Sequence, residues 1–164
     1  MKWPDLVSDG IEYSMSHLQP FSMEVAVGSR VVEVRVTFGL HVFTDEKGNG
    51  CPIVAGDERR YFCKRRYMDS RQAVAFMKAG FADCYTRPYF SKKQKQQFFI
   101  WERDDYAIFL AIQKPAGTVN RLKCHVVSAY TVDSWGKAGL PTRGTARRMG
   151  YVLDKRERGD AIPP

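Results

Sequence analysis

The chain has 164 residues, of which 44% are hydrophobic, 13% aromatic and 27% charged, a composition that builds a packed core and excludes wholesale disorder, collagen and low-complexity sequence. Its longest stretch without Asp, Glu, Lys or Arg runs from Tyr13 to Met23, well short of the roughly 18 apolar residues of a membrane span, so no membrane association is expected. A formal charge of +8 favours polyanions as partners.

The start, Met1-Lys2-Trp3-Pro4-Asp5, lacks the basic region and apolar run of a secretory signal, and the expected location is cytoplasmic. Cys51, Cys63, Cys84 and Cys124 then read as free thiols in a reducing compartment. They form no C-x-x-C pair and have no histidine at ligand spacing, so neither a metal site nor a cofactor is expected.

In chain order, Ile11, Met15 and Leu18 suggest a short helical stripe ended by Pro20. From Ser22, two β-rich runs joined at Gly28-Ser29-Arg30 predict a long hairpin. Its second strand carries Val32, Val34, Val36, Phe38, Leu40 and Val42 on one face, and Glu33, Arg35, Thr37, Gly39 and His41 on the other. Residues 45–58 are rich in glycine and read as a loop. A helix is expected over about 71–79, capped by Ser70 and ended by Gly80. Strands at 97–103, 106–114 and 121–131 follow, joined by Asp104-Asp105 and by residues 115–120, an antiparallel meander. The segment from Ser134 onward, with a short helix near 143–149, is expected to be peripheral, as are residues 1–20. The prediction is one α+β domain with its core at about 22–133: an antiparallel sheet of about five strands packed on one face by one or two short helices.

Two constellations carry chemistry. Arg59, Arg60, Lys64, Arg65, Arg66 and Arg71 are interleaved with Tyr61, Phe62 and Tyr67; arginine forks grip phosphates and aromatic rings stack on bases, the mixture of a single-stranded nucleic-acid surface. The bland alternative is a solvated edge partly neutralised by Asp57, Glu58 and Asp69, with the aromatics in the core. Further basic patches lie at Arg87, Lys92, Lys93 and Lys95, and at Arg143, Arg147 and Arg148. His41 and His125 sit on the polar faces of two expected strands. If those strands share a sheet, the pair would serve as general base and acid for attack of a ribose 2′-hydroxyl on its own phosphate, with arginines stabilising the added charge. There is no G-x-S-x-G, Walker, dinucleotide-binding or H-E-x-x-H motif.

Three motifs form a recognisable set: Gly39-Leu40-His41-Val42-Phe43-Thr44, Asp57-Glu58-Arg59-Arg60-Tyr61-Phe62 leading to Arg66-Tyr67 and Ser70, and Val127-Ser128-Ala129-Tyr130. Over about residues 22–133 the chain resembles a group of small bacterial proteins of phage-derived regions and integron gene cassettes. That group has an H-[VC]-F-T box, a D-x-R-x-F…RY segment and a closing SAY strand. The layout is also distantly similar to the barnase, EndoU, colicin and RelE-like ribonucleases, which cleave RNA without metal. The resemblance implies roles for His41 and Thr44 in the box, Arg60, Arg66 and Tyr67 in the basic segment, and Ser128 and Tyr130 in the closing strand; His125 lies outside it. Simple alternation sends Ser128 and Tyr130 to the apolar face unless a bulge re-aims them.

The expected function is a metal-independent endoribonuclease or nucleic-acid-directed effector. Catalysis is assigned to His41, Thr44, Arg60 and His125, and substrate binding to Arg59, Arg65, Arg66, Tyr67, Ser128 and Tyr130. The alternatives are a non-catalytic RNA- or DNA-binding module and a cationic domain that meets an acidic protein partner.

Overall fold

The computed structural model describes residues 2–90, 95–102, 105–133 and 139–163. Lys92, Lys93, Asp104 and Ser134 of the segments considered above lie outside them. The chain opens with β1 (Leu6–Ser8) and β2 (Ile11–Tyr13), then a hairpin of β3 (Phe21–Val27) and β4 (Arg30–Phe38). A 3-10 turn at Leu40–Val42 leads to β5 (Thr44–Asp45), β6 (Pro52–Ala55), β7 (Glu58–Phe62) and helix α1 (Lys64–Ala79). The meander β8 (Tyr85–Phe90), β9 (Gln96–Glu102), β10 (Tyr106–Gln113) and β11 (Arg121–Thr131) follows, and β12 (Arg147–Arg148) with helix α2 (Met149–Arg158) ends the chain.

The fold is α+β with a mostly antiparallel main sheet, but that sheet has seven strands rather than five, in the order β12-β8-β9-β10-β11-β4-β3. Among the described residues, its one parallel pairing joins β11 to β4 and sets His125 opposite Thr37. Two smaller sheets, β1-β2 and β5-β7-β6, lie outside it. Val32, Val34, Val36 and Phe38 of β4 share the core with Leu122, Cys124 and Val126 of β11, and Ile108, Leu110 and Ile112 of β10. The opposite face of β4 and β11 is polar and open. At its far end Phe99, Ala107, Val132 and Leu140 form a second, smaller cluster with Tyr89, Phe109 and Tyr130 against it.

A β-bulge on β11 decides which residues that open face presents. Val126 pairs with Leu110 and Ser128 with Phe109, so Val127 is the extra residue. Beyond it the alternation inverts. Ser128 and Tyr130 thus share the face of His125, and Ala129 turns to the core opposite Ile108.

Several elements depart from the sequence expectation, each for a local reason. The long second strand of the hairpin stops at Phe38, because Gly39 donates to the Val126 carbonyl at 2.8 Å and turns the chain. A Cβ on Gly39 would stand 2.9 Å from both His125 Nε2 and the Val127 carbonyl oxygen, so the turn requires glycine there. Helix α1 begins at Lys64 rather than 71, with Cys63 as N-cap and Ser70 buried inside it. Its buried stripe, Tyr67, Ser70, Ala73, Val74 and Met77, has helical spacing, which the density of arginines conceals. Within the expected 45–58 loop, Pro52–Ala55 forms a strand that pairs with Glu58–Phe62 as a hairpin, while residues 46–51 belong to no strand.

At the amino end a β-hairpin replaces the helical stripe, with Ile11 exposed and Met15 and Leu18 buried. The carboxyl-terminal segment is not peripheral: α2 puts Met149, Val152 and Leu153 into the main core, and Trp3, Met15 and Leu18 join them from the other end of the chain. Helix α2 occupies 149–158 rather than 143–149 and ends on Gly159 in the left-handed conformation, φ 81°.

Candidate functional site

The site begins where the 3-10 turn meets β7. Alternation on β7 points Glu58 and Arg60 to one side and Arg59 to the other. On that first side His41 Nε2 lies 2.5 Å from Glu58 Oε1, and the same oxygen is 3.5 Å from Arg60 Nη1. The Arg60 guanidinium is almost fully buried. It donates from Nε to Thr44 Oγ1 at 3.0 Å and from Nη1 to Glu46 Oε1 at 2.8 Å, while the Thr44 hydroxyl donates to the Leu40 carbonyl at 2.7 Å. A buried charge needs such partners, and they lock the guanidinium in one orientation.

Arg66, in the first turn of α1, completes the wall. Its Nη1 donates to the His41 carbonyl at 2.9 Å, and its guanidinium sits 4.6 Å above the Tyr130 ring. Phe109 stacks on Tyr130, centroids 5.8 Å apart at 17°, and meets Tyr89 edge-on. Burial, opposed by Arg66, raises the Tyr130 phenol above its ordinary range. Burial and then the Tyr130 phenol push Tyr89 up to about 12. Both are neutral hydrogen-bonding groups at physiological pH.

His125 stands on the adjoining wall. Its Nδ1 is 2.9 Å from Thr37 Oγ1, which fixes the ring, and its Nε2 lies over Gly39. Burial lowers its pKa, and His41 acts in the same direction, so the ring is neutral at physiological pH. His41, Glu58 and His125 line one concavity of about 230 Å³. His41 also lines its neighbour, about 330 Å³, with Arg60, Arg66, Ser128 and Tyr130. A third, about 260 Å³, shares Arg66 and Tyr130 and adds Lys47, Arg65 and Asp69. Together they make a groove beside the bulged strand. Among the described residues, no group of three His, Cys, Asp or Glu is arranged to hold a metal ion.

Of the residues singled out in the sequence, His41, Arg60, Arg66, Ser128 and Tyr130 come together, with His125 adjoining and Arg65 at the far end. Three stand elsewhere. Thr44 is fully buried beneath Arg60, so it positions the guanidinium and does not meet a ligand. Tyr67 is in the core with its hydroxyl on the Ser14 carbonyl, 2.8 Å. Arg59 lies over Tyr61 on the opposite side of β7.

Sequence reasoning missed Glu46 as a partner and treated Glu58 only as a neutralising charge. The available signal was Glu58-x-Arg60, two residues that a strand places on one face. Phe109 was hidden among the apolar residues of the 106–114 strand, and Tyr89 lies on β8, a strand the sequence reading did not expect. Arg65 is tempered by Asp69, 3.8 Å away, so the groove carries paired charges rather than a purely basic lining.

The model of one protein family, described as the YjaZ family, matches residues 5–154. That span takes in every groove residue named above, helix α1 and α2 as far as Asp154. No curated protein and no solved structure matches the chain.

Proposed function

The chain belongs to the YjaZ family, and we propose that its groove binds single-stranded RNA and cleaves it by attack of a ribose 2′-hydroxyl on the adjacent phosphate. The observation that carries this reading is the meeting of His41 and Arg60 on Glu58, with His125 across the same concavity. Such a reaction needs a base for the 2′-hydroxyl, an acid for the departing 5′-oxygen and cations for the charge gathered on phosphorus.

His125 is the base. Its neutral ring has Nδ1 held by Thr37 and leaves Nε2 to take the proton. His41 is the acid: Glu58 holds the Nε2 proton of its imidazolium, and Nδ1–H delivers a proton to the 5′-oxygen as the P–O bond breaks. The products are a 2′,3′-cyclic phosphate and a free 5′-hydroxyl, with one proton taken up and one released. Arg60 and Arg66 face the phosphoryl oxygens, and Arg66 is aimed by its stack on Tyr130. A cytoplasmic location, where RNA and free thiols coexist, accords with this reading.

The test is cleavage of an end-labelled mixed-sequence RNA in EDTA, at low and physiological salt, by the wild-type protein and by His41→Ala. Expected are fragments ending in 2′,3′-cyclic phosphate that the variant forms at least a hundredfold more slowly. Tight binding with no cleavage would instead make the groove a binding module, and neither binding nor cleavage would overturn the reading.

A further inference from the structure

The open face of the sheet continues past the groove toward the start of β11. Three successive cross-strand rows can be read from its register. The first sets Glu24 and Glu33 beside Arg121, and Arg121 Nε is bridged to Glu33 at 3.0 Å. The third sets Thr37 beside His125. The row between them crosses four strands as Ser22, Arg35, Lys123 and Gln113, and all four side chains are exposed.

That middle row is the anomaly. Arg35 and Lys123 are direct neighbours across a parallel pair, and like charges so placed repel. Neither has an ion-pair partner among the described residues, although the adjoining Arg121 does. The row contains no acid: a hydroxyl, a guanidinium, an ammonium and a carboxamide, every one a hydrogen-bond donor. It stands two residues along the strand from His125, about 6.6 Å at the usual rise. A concavity of about 290 Å³ takes in Arg35 and Lys123 of this row together with the bridged Glu33 and Arg121 of the row before it, and is closed by Pro115 and Thr118 of the β10–β11 turn.

β11 therefore passes under four concavities in sequence order, through 121–123, 125–127, 127–130 and 130–131. We propose that the row of Ser22, Arg35, Lys123 and Gln113 is a docking site for a backbone phosphate of a strand that lies lengthwise along β11. The substrate is then a linear single-stranded RNA that extends beyond the reacting phosphate, rather than a dinucleotide or a free nucleotide. This rests on the RNA-cleaving reading above. The repulsion built into the Arg35–Lys123 pair is relieved when the phosphate arrives, and phosphate contacts fix register without reading sequence.

The test compares a 5′-labelled twelve-nucleotide oligouridylate with the dinucleotide UpU. Proteins are the wild type, Arg35→Gln, Lys123→Gln and, as a control for net charge, Arg158→Gln. Expected is a fall of at least tenfold in the ratio of kcat/KM for the twelve-mer to that for UpU in each lane variant. The slope of log affinity against log salt should become shallower by about 0.7 per charge removed, the value for single strands. Arg158→Gln should leave both quantities unchanged. If the wild type cleaves the twelve-mer and the lane variants keep the wild-type ratio and slope, the lane is overturned and the cleavage reading stands. If it binds without cleaving, the salt slopes alone decide the lane. No affinity for the twelve-mer overturns both.

Discussion

His41 and Arg60 meet on a single atom, Glu58 Oε1, at 2.5 and 3.5 Å. One carboxylate thus orients the His41 ring and helps hold the Arg60 guanidinium, the proposed proton donor and the proposed phosphate ligand. Glu58→Gln keeps the shape of the side chain and removes its charge. Cleavage should fall about a hundredfold or more, the usual worth of a positioned acid. Affinity for RNA should hold or rise, because a negative charge leaves the groove. Single-turnover cleavage and filter binding on the same variant separate the two effects; unchanged cleavage would remove Glu58 from the mechanism.

His125 makes the second prediction, and its sign follows from burial. Its folded pKa lies below the ordinary 6.5, so as pH falls the unfolded chain takes up a proton at this histidine before the folded chain does. Its contribution to stability is complete above the unfolded value and is lost as pH falls through the folded one. The acid limb of kcat/KM should likewise sit below the ordinary histidine range, since the proposed base is the neutral ring. An NMR titration of the ring in the wild type and in His41→Ala tests this. A midpoint at or above the ordinary value would deny the base role, and the variant should titrate higher, because one of the charges lowering it is gone.

How much of this was legible in the sequence depended on whether a residue's position followed from local periodicity. Strand β11 reads off its alternation over 121–131, Arg60 and Arg66 stood out as cations beside aromatics, and His41 as an imidazole on the polar face of an expected strand. The bulge at Val127 did not, since one extra residue in a strand leaves no mark on composition yet reverses every side chain beyond it. Nor did the parallel pairing of β4 with β11, which brings Thr37 to His125 from 88 residues away, a long-range contact no window contains. Helix α1 was read as too short for a related reason: Lys64, Arg65 and Arg66 mask the buried stripe that starts at Tyr67.

Glu157 makes the last prediction, one about the scaffold. Its carboxylate accepts from the Asn120 backbone N–H and from Lys114 Nζ, each at 3.1 Å, and from Arg30 Nη1 at 2.5 Å. α2 is thereby tied to the β3–β4 turn and to the β10–β11 turn. The Asn120 N–H first, then Lys114 and Arg30, hold the carboxyl below the ordinary glutamate range. The stabilisation is present above the unfolded value and lost as pH falls through the folded one. Glu157→Gln should cost about 1 kcal/mol near neutrality, since it leaves Lys114 and Arg30, each about one-third exposed, facing an amide in place of the carboxylate. Urea melts near pH 7 and about pH 4 check both parts. The gap between wild type and variant should narrow at the lower pH, as the unfolded wild-type chain begins to take up a proton at Glu157 before the folded chain does. A gap that stays constant would mean that shape, not charge, holds α2 to the turns.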